Sequence, residues 1–249
     1  MLDELPAASL SAPPAEAAAV PRHLGIIPDG NRRWAKRHGV PTAAGFQAGA
    51  DRVPHVLNWC ADRGIGHVTL WVLSRTNLSR SAAETAAMAA IADRLVRELT
   101  ELGRWRLRAI GGLDLLPPSL LQTLGTCARD TADVDGPIVN LALGYSGRED
   151  IANAVRGLLR TADEGGRSGL RIAETLTAER IARHLSTGGQ PGLDLVVRTS
   201  GETRLSDFMI WQLADSELYF SPKLWPDIAE EDLDEVLAAF RARDRRFGL

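Results

Sequence analysis

Residues 23–35 read His23-Leu24-Gly25-Ile26-Ile27-Pro28-Asp29-Gly30-Asn31-Arg32-Arg33-Trp34-Ala35. An apolar run that stops at a Pro-Asp-Gly turn and passes into a helix-like start is a strand feeding a helix. Further apolar runs, each bounded by turn residues, lie at 67–73, 105–110, 138–143, 193–197 and 218–220. Helical patterns separate them, at 43–63, 82–102, 118–129, 148–161, 178–184, 206–214 and 228–246. Such alternation predicts an α/β fold, a mostly parallel six-stranded sheet flanked by helices on both faces. Ligands of open α/β sheets bind beyond the carboxyl ends of the strands, so Asp29 and its successors are expected to line a pocket.

The chain has 249 residues, 45% of them hydrophobic and 24% charged, which suits one compact body rather than a disordered or fibrous chain. Residues 1–21 are rich in Ala and Pro and cannot bury enough surface to offset ordering entropy, so they read as a loose tail before a single domain at 22–249. The stretch 163–169 is polar and Gly-rich and reads as a surface loop. A net charge of -3 and a pI near 6.0 give no global field for nucleic acid or anionic lipid. An anionic ligand must then be small and locally gripped. The two cysteines, Cys60 and Cys127, sit in apolar helix-like stretches and are expected to be buried, reduced thiols. No run approaches the roughly 18 apolar residues of a membrane span. The first charges, Asp3 and Glu4, have the wrong sign for a signal peptide, so a cytoplasmic location is expected.

Three polar segments follow strand ends. In the first, Gly30 lets backbone approach a ligand, the amides at a helix start attract phosphate oxygens, and Arg32 and Arg33 add charge and paired donors. A carboxylate among such groups makes sense if a divalent cation lies between it and the phosphate. Asp29 is equally suited to capping the helix. In the second, Arg198-Thr199-Ser200-Gly201-Glu202-Thr203-Arg204-Leu205-Ser206 follows a buried strand, and its arginines and serine can surround one diphosphate or pair with acids such as Glu202. In the third, Leu73-Ser74-Arg75-Thr76-Asn77-Leu78-Ser79-Arg80 suits a polar loop over bound phosphates, with Ser81 and Glu84 reading as a capping box for the next helix. The five histidines have no metal-ligand spacing, and the chain has no nucleophile elbow, P-loop or dinucleotide fingerprint.

Together these segments, with Gly144-Tyr145-Ser146-Gly147-Arg148, Trp211-Gln212, Glu217-Leu218-Tyr219-Phe220, Trp225-Pro226-Asp227 and Arg245-Arg246-Phe247-Gly248, resemble the cis-prenyltransferase family, from about residue 22 to 248. The resemblance implies a six-stranded, mostly parallel sheet with helices around a hydrophobic tunnel, a homodimer, Mg2+ as cofactor, and substrates that are an allylic diphosphate and isopentenyl or dimethylallyl diphosphate. It implies that Asp29 binds the metal and assists departure of the allylic diphosphate, which Gly30, Asn31, Arg32 and Arg33 hold, with Trp34 beside them. The positions matching Arg198, Arg204 and Ser206, with Leu205, hold the acceptor's diphosphate, and Glu217 contributes to the metal across the dimer. Asn77 matches a residue often assigned to proton removal, in a loop where Ser74, Arg75, Thr76 and Arg80 are substrate contacts. Arg246 and Gly248 match a C-terminal element that reaches the neighbouring subunit's site.

The chain also departs from the long-chain pattern. Thr42 and Phe46 stand where an arginine and a histidine border the allylic diphosphate, and Thr76 and Leu78 replace a glutamate and a tryptophan. The loop and Gly111-Gly112-Leu113-Asp114-Leu115-Leu116-Pro117 are more similar to the short-chain actinobacterial farnesyl branch, which implies a product of about ten to fifteen carbons. The altered loop also fits the lavandulyl-type branch, in which dimethylallyl diphosphate is coupled through a middle carbon. Two further alternatives are a non-catalytic partner subunit, which should lack the aspartate at 29, and a diphosphate-binding module without bond formation. Met88 and Leu95 are expected as tunnel walls.

Overall fold

The computed structural model describes residues 20–164 and 173–243. The expected tail thus lies outside the described residues apart from its last two positions, as do positions 165–169 of the expected polar loop and the segment carrying Arg246 and Gly248.

Six strands form one sheet: β1 (His23–Ile27), β2 (His67–Trp71), β3 (Arg106–Ile110), β4 (Ile138–Ala142), β5 (Leu195–Arg198) and β6 (Glu217–Phe220). Every pairing is parallel, in the order β3-β4-β2-β1-β5-β6. The helices are α1 (Asn31–His38), α2 (Thr42–Asp62), α3 (Arg75–Leu78), α4 (Ala82–Leu102), α5 (Pro118–Asp130), α6 (Gly147–Glu164), α7 (Ala178–His184) and α8 (Glu230–Arg241). All five residues of β1 are buried, as a central strand covered on both faces requires. Side-chain alternation divides the core: Ile26, Leu195 and Val197 join one apolar cluster with Leu57, Leu99 and Leu237 from the helices, whereas Ile27 and Val196 join the other with Tyr145, Phe208 and Met209.

From β1 the chain moves outward to β2, and from β5 it moves the opposite way to β6. The segments after β1 and β5 therefore part at the seam between neighbouring strands, the topological switch point where an α/β sheet opens a crevice. Ile27 lies opposite Arg198 there, so Asp29 and Arg198 leave the sheet side by side.

The helix expected at 206–214 is instead a chain of turns. Ser206, Asp207 and Met209 hold φ of 51°, 76° and 44°, which no right-handed helix allows. Tertiary ties outweigh the local helical pattern. The Asp207 carbonyl accepts from Gly147 N, its carboxylate accepts from Ser146 Oγ at 2.6 Å and Arg148 N at 3.1 Å, and Phe208 and Met209 are fully buried. Asp207 thus caps the start of α6 from a distant part of the chain. The last helix, expected at 228–246, runs over Glu230–Arg241: Ile228 closes the 3-10 turn Trp225–Asp227, Ala229 is the N-cap and Ala242 the C-cap, and positions 244–246 lie outside the described residues. Glu164 still belongs to α6, so the helix runs past the expected boundary at 161. Cys60 and Cys127 are buried and free, and burial pushes the Cys60 thiol up to about 12.

Candidate active site

Asp29 is fixed through its backbone before its carboxylate does anything. The Thr199 hydroxyl, completely buried, accepts from Asp29 N at 2.8 Å and donates to the Asp29 carbonyl at 2.6 Å, and Trp225 N donates to the same carbonyl at 3.0 Å. Gly30 follows with φ of 112°, a conformation that glycine adopts without strain. A Cβ there would lie 3.1 Å from Leu224 Cα and 3.1 Å from Ser200 Cβ. α1 begins at the next residue, and its N-cap is Gly30, so Asp29 is not the capping residue.

The carboxylate accepts from Gly30 N at 2.7 Å through Oδ1 and from Arg198 Nη2 at 2.7 Å through Oδ2. Arg198 is nearly buried, whereas Asp29 keeps a third of its side-chain surface open. The other arm of the guanidinium, Nη1, donates to the Arg204 carbonyl and to Ser206 Oγ at 2.9 Å. Arg198 Nε is buried and has no partner among the described residues. One arginine therefore ties the β1 turn to the loop after β5. Of the acid partners open to the arginines in sequence, Arg198 takes Asp29, while Arg33 and Arg204 both take Glu202.

The third segment, expected as a flexible polar loop, is the single helical turn α3. Ser74 Oγ accepts from Asn77 N at 3.0 Å, and Asn77 Oδ1 accepts from Ser74 N at 2.9 Å, a reciprocal capping box. Arg75 N donates to the Tyr145 carbonyl, which moors the turn to the segment after β4. Ser81 caps α4 by accepting from Glu84 N, which is half of the expected capping box; the Glu84 carboxylate meets the Ser81 hydroxyl at 3.1 Å rather than its backbone amide.

These segments surround a cavity of about 1020 Å³. Its mouth carries six cations, Arg32, Arg33, Lys36, Arg80, Arg198 and Arg204, against two carboxylates, Asp29 and Glu202. Gly30, Asn31, Ser74, Thr76, Asn77, Ser206, Thr42 and Phe46 also line it. Deeper in, the wall becomes apolar with Val53, Leu70, Met88, Ile91 and Leu95, so both expected tunnel residues border the space. Among the described residues, no histidine, cysteine or tyrosine lines it. The described residues hold no group of three or more His, Cys, Asp or Glu able to cage a metal. Asp29 still fits Mg2+, which is commonly held by one or two carboxylates together with phosphate oxygens.

Four expected site residues stand off the cavity wall. Trp34 stacks on His38 and donates Nε1 to Asp227 at 2.6 Å, which ties α1 to the 3-10 turn. Arg75 serves through its backbone, and Leu205 packs on the second core cluster. Glu217 opens β6, opposite Leu195 and three positions before the level of Arg198, and its carboxylate pairs with Arg243. It does not join the cavity lining of its own chain. Lys36 was not among the residues singled out in sequence, although it lies one helical turn from Arg32, a spacing that places both on one face. Thr199 had no comparable signal, because its role depends on which strands pair.

A family model described as "Putative undecaprenyl diphosphate synthase" matches residues 27–248. The chain is 46% identical over 229 residues to Isoprenyl transferase 1 of Streptomyces avermitilis, covering 92% of this chain and 89% of that protein. It is 44% identical over 232 residues to the (2Z,6E)-farnesyl diphosphate synthase of Thermobifida fusca, covering 93% and 91%. Among solved structures, lavandulyl diphosphate synthase from Lavandula x intermedia, in complex with dimethylallyl diphosphate, superposes with a TM-score of 0.87 at 34% identity, covering 93% of this chain and 99% of that one. An all-parallel six-stranded sheet, an arginine-rich mouth over an apolar cavity, and likeness along nearly the whole chain lead to one assignment: this protein belongs to the cis-prenyltransferase family and is an enzyme of prenyl transfer.

Proposed function

We propose that the chain condenses an allylic diphosphate, geranyl or dimethylallyl, with a five-carbon isoprenoid diphosphate, releasing diphosphate and forming a product of about ten to fifteen carbons. The observation that carries this reading is the Asp29–Arg198 contact at the switch point, between two cation-bearing segments and above one apolar cavity. Arg32, Arg33 and the amides after Gly30 hold the allylic diphosphate, and Arg198, Arg204 and Ser206 hold that of the acceptor. Asp29 is the residue that holds Mg2+, which supplies charge neutralisation for the departing diphosphate when bound. The fixed donors at the mouth favour the same departure, and they act more strongly where water is excluded. The apolar wall around Leu70, Met88 and Leu95 shields the developing allylic cation from water. As the C–O bond of the allylic substrate breaks, its electron pair leaves with the diphosphate, the acceptor's double bond forms the new C–C bond, and the proton lost from the acceptor passes to a diphosphate oxygen. Asn77 contributes to that last step by orientation, because its Oδ1 is already engaged by Ser74 N.

The short product is supported by the farnesyl-synthase relative at 44% identity. Irregular coupling with dimethylallyl diphosphate as acceptor is the second reading, supported by the likeness to the lavandulyl synthase and by Phe46 and Thr76 at the cavity wall. We place the enzyme in the cytoplasm as a homodimer, with Glu217 contributing across the interface. Among the described residues no helix is long and apolar enough to cross a membrane. The deciding experiment supplies labelled geranyl or dimethylallyl diphosphate, Mg2+ and either isopentenyl or dimethylallyl diphosphate as acceptor, and identifies the carbon skeleton formed. A linear Z-product establishes regular elongation and a branched product the irregular route. If no longer diphosphate forms with either acceptor, the chain is a binding module or a silent partner subunit.

A further inference from the structure

Glu202 stands between two cations that belong to different halves of the site. One of its carboxylate oxygens lies 3.2 Å from Arg33 Nη2 in an ion pair, and the other accepts a hydrogen bond from Arg204 Nη1. Arg33 rides on α1, whereas Glu202 and Arg204 lie on the loop after β5. Among the described residues no other ion pair joins α1 to that loop. All three side chains line the cavity mouth. Arg198 holds the loop in place by donating to the Arg204 carbonyl and Ser206 Oγ, so the carboxylate is kept over the opening.

The neighbouring cations are used differently. Arg32, Lys36 and Arg80 line the same mouth and pair with no acid among the described residues, and Arg198 holds Asp29. Only Arg33 and Arg204 share an acid that can be displaced without disturbing the fold. Their side chains are 49% and 63% exposed, and ion pairs that open to solvent contribute little net stability. A diphosphate offers each guanidinium the paired oxygens that a shared carboxylate cannot. Once one diphosphate is seated, its charge repels the adjacent carboxylate and loosens the remaining contact.

We propose that Glu202 is a positioning residue that stands in for phosphate. In the substrate-free protein it holds Arg33 and Arg204 facing the mouth, and the incoming diphosphates displace it from both. The inference rests on the reading of this cavity as a pair of diphosphate sites, and it adds an internal competitor that couples their filling: the first diphosphate to bind weakens the competitor met by the second.

The test titrates the full chain with inorganic diphosphate by calorimetry, comparing wild type with Glu202→Gln and Glu202→Ala and following thermal unfolding of each. Removing the competing charge is expected to tighten diphosphate binding about fivefold in both variants. A carboxylate that merely braces the arginines predicts the opposite sign. Equal or weaker binding by variants that melt like wild type overturns the inference while leaving the diphosphate sites intact. Absence of binding by well-folded wild type overturns the site reading itself, and this inference with it.

Discussion

Arg198 Nη2 donates to Asp29 Oδ2 at 2.7 Å across the seam between β5 and β1, joining residues 169 positions apart in the chain. The contact spans the junction of the two proposed diphosphate sites, so each partner answers for both. Asp29→Ala is expected to lower prenyl transfer by about 10³-fold, since it removes the carboxylate assigned to the metal and leaves Arg198 Nη2 without its acceptor. Arg198→Lys keeps a cation but cannot reach Asp29, the Arg204 carbonyl and Ser206 together, and is expected to raise the acceptor's KM by at least about tenfold. Steady-state assays with each substrate varied in turn check both, and unchanged turnover in Asp29→Ala removes that residue from the mechanism.

Ser200 holds φ of 81° without being glycine, is buried, and its Oγ has no partner among the described residues. Backbone strain of this kind persists where the surroundings over-determine it, and here Ser200 Cβ faces the space beside Gly30. Ser200→Gly relieves both the strain and the orphaned hydroxyl, partly offset by the freedom glycine gains in the unfolded chain. A net gain of about 1 kcal/mol is expected, seen as a higher midpoint in urea.

Leu95 reaches the deep wall of the cavity from α4 and is 4% exposed. Leu95→Ala should cost about 3 kcal/mol by leaving a void in the core, and the same void adds room at the depth where the product chain grows. The product distribution is expected to shift to longer chains. An unshifted distribution from a folded variant places the end of the chain elsewhere on the wall.

His23 bears on acid stability rather than on catalysis. It is 1% exposed, its Nε2 meets Thr69 Oγ1 at 2.8 Å, its Nδ1 meets the Pro191 carbonyl at 3.0 Å, and burial brings its pKa down to about 4. His67, 5.8 Å away and itself lowered by burial and by Arg108, works in the same direction, while Asp194 opposes it. Between pH 6.5 and about 4 the unfolded chain takes up a proton that the folded chain refuses, so stability falls as pH falls through that window. The loss is roughly 3 kcal/mol at its full extent. His23→Gln, which cannot titrate, is expected to flatten the profile of denaturation midpoint against pH there. A slope that survives the substitution assigns the acid sensitivity to other groups.

Much of the architecture was legible in the chain itself. Buried parallel strands are short apolar runs ended by turn residues, and residues 23–28, 67–73 and 138–143 carry that signature without help from partners. The positions of Asp29, Ser74, Arg198 and Ser206 at strand ends followed from the rule that α/β sites open at carboxyl edges, and the fold brings all four to one cavity. Lys36 was within reach of the same reasoning through its helical spacing from Arg32. What the tertiary structure alone decided are contacts whose partners are far apart in sequence. Thr199 can clasp the Asp29 backbone only because β1 pairs with β5 in a register that sets Ile27 beside Arg198. Segment 206–214 has a helical pattern and still forms turns, because Asp207 gains more from capping α6 than the local backbone loses. Glu202 could have met any nearby cation, and it is the placement of α1 beside the loop after β5 that gives it two. Periodicity and turn chemistry act within a few residues and are written along the chain. Which side chains meet across the seam depends on strand order and register, which only the packed core selects.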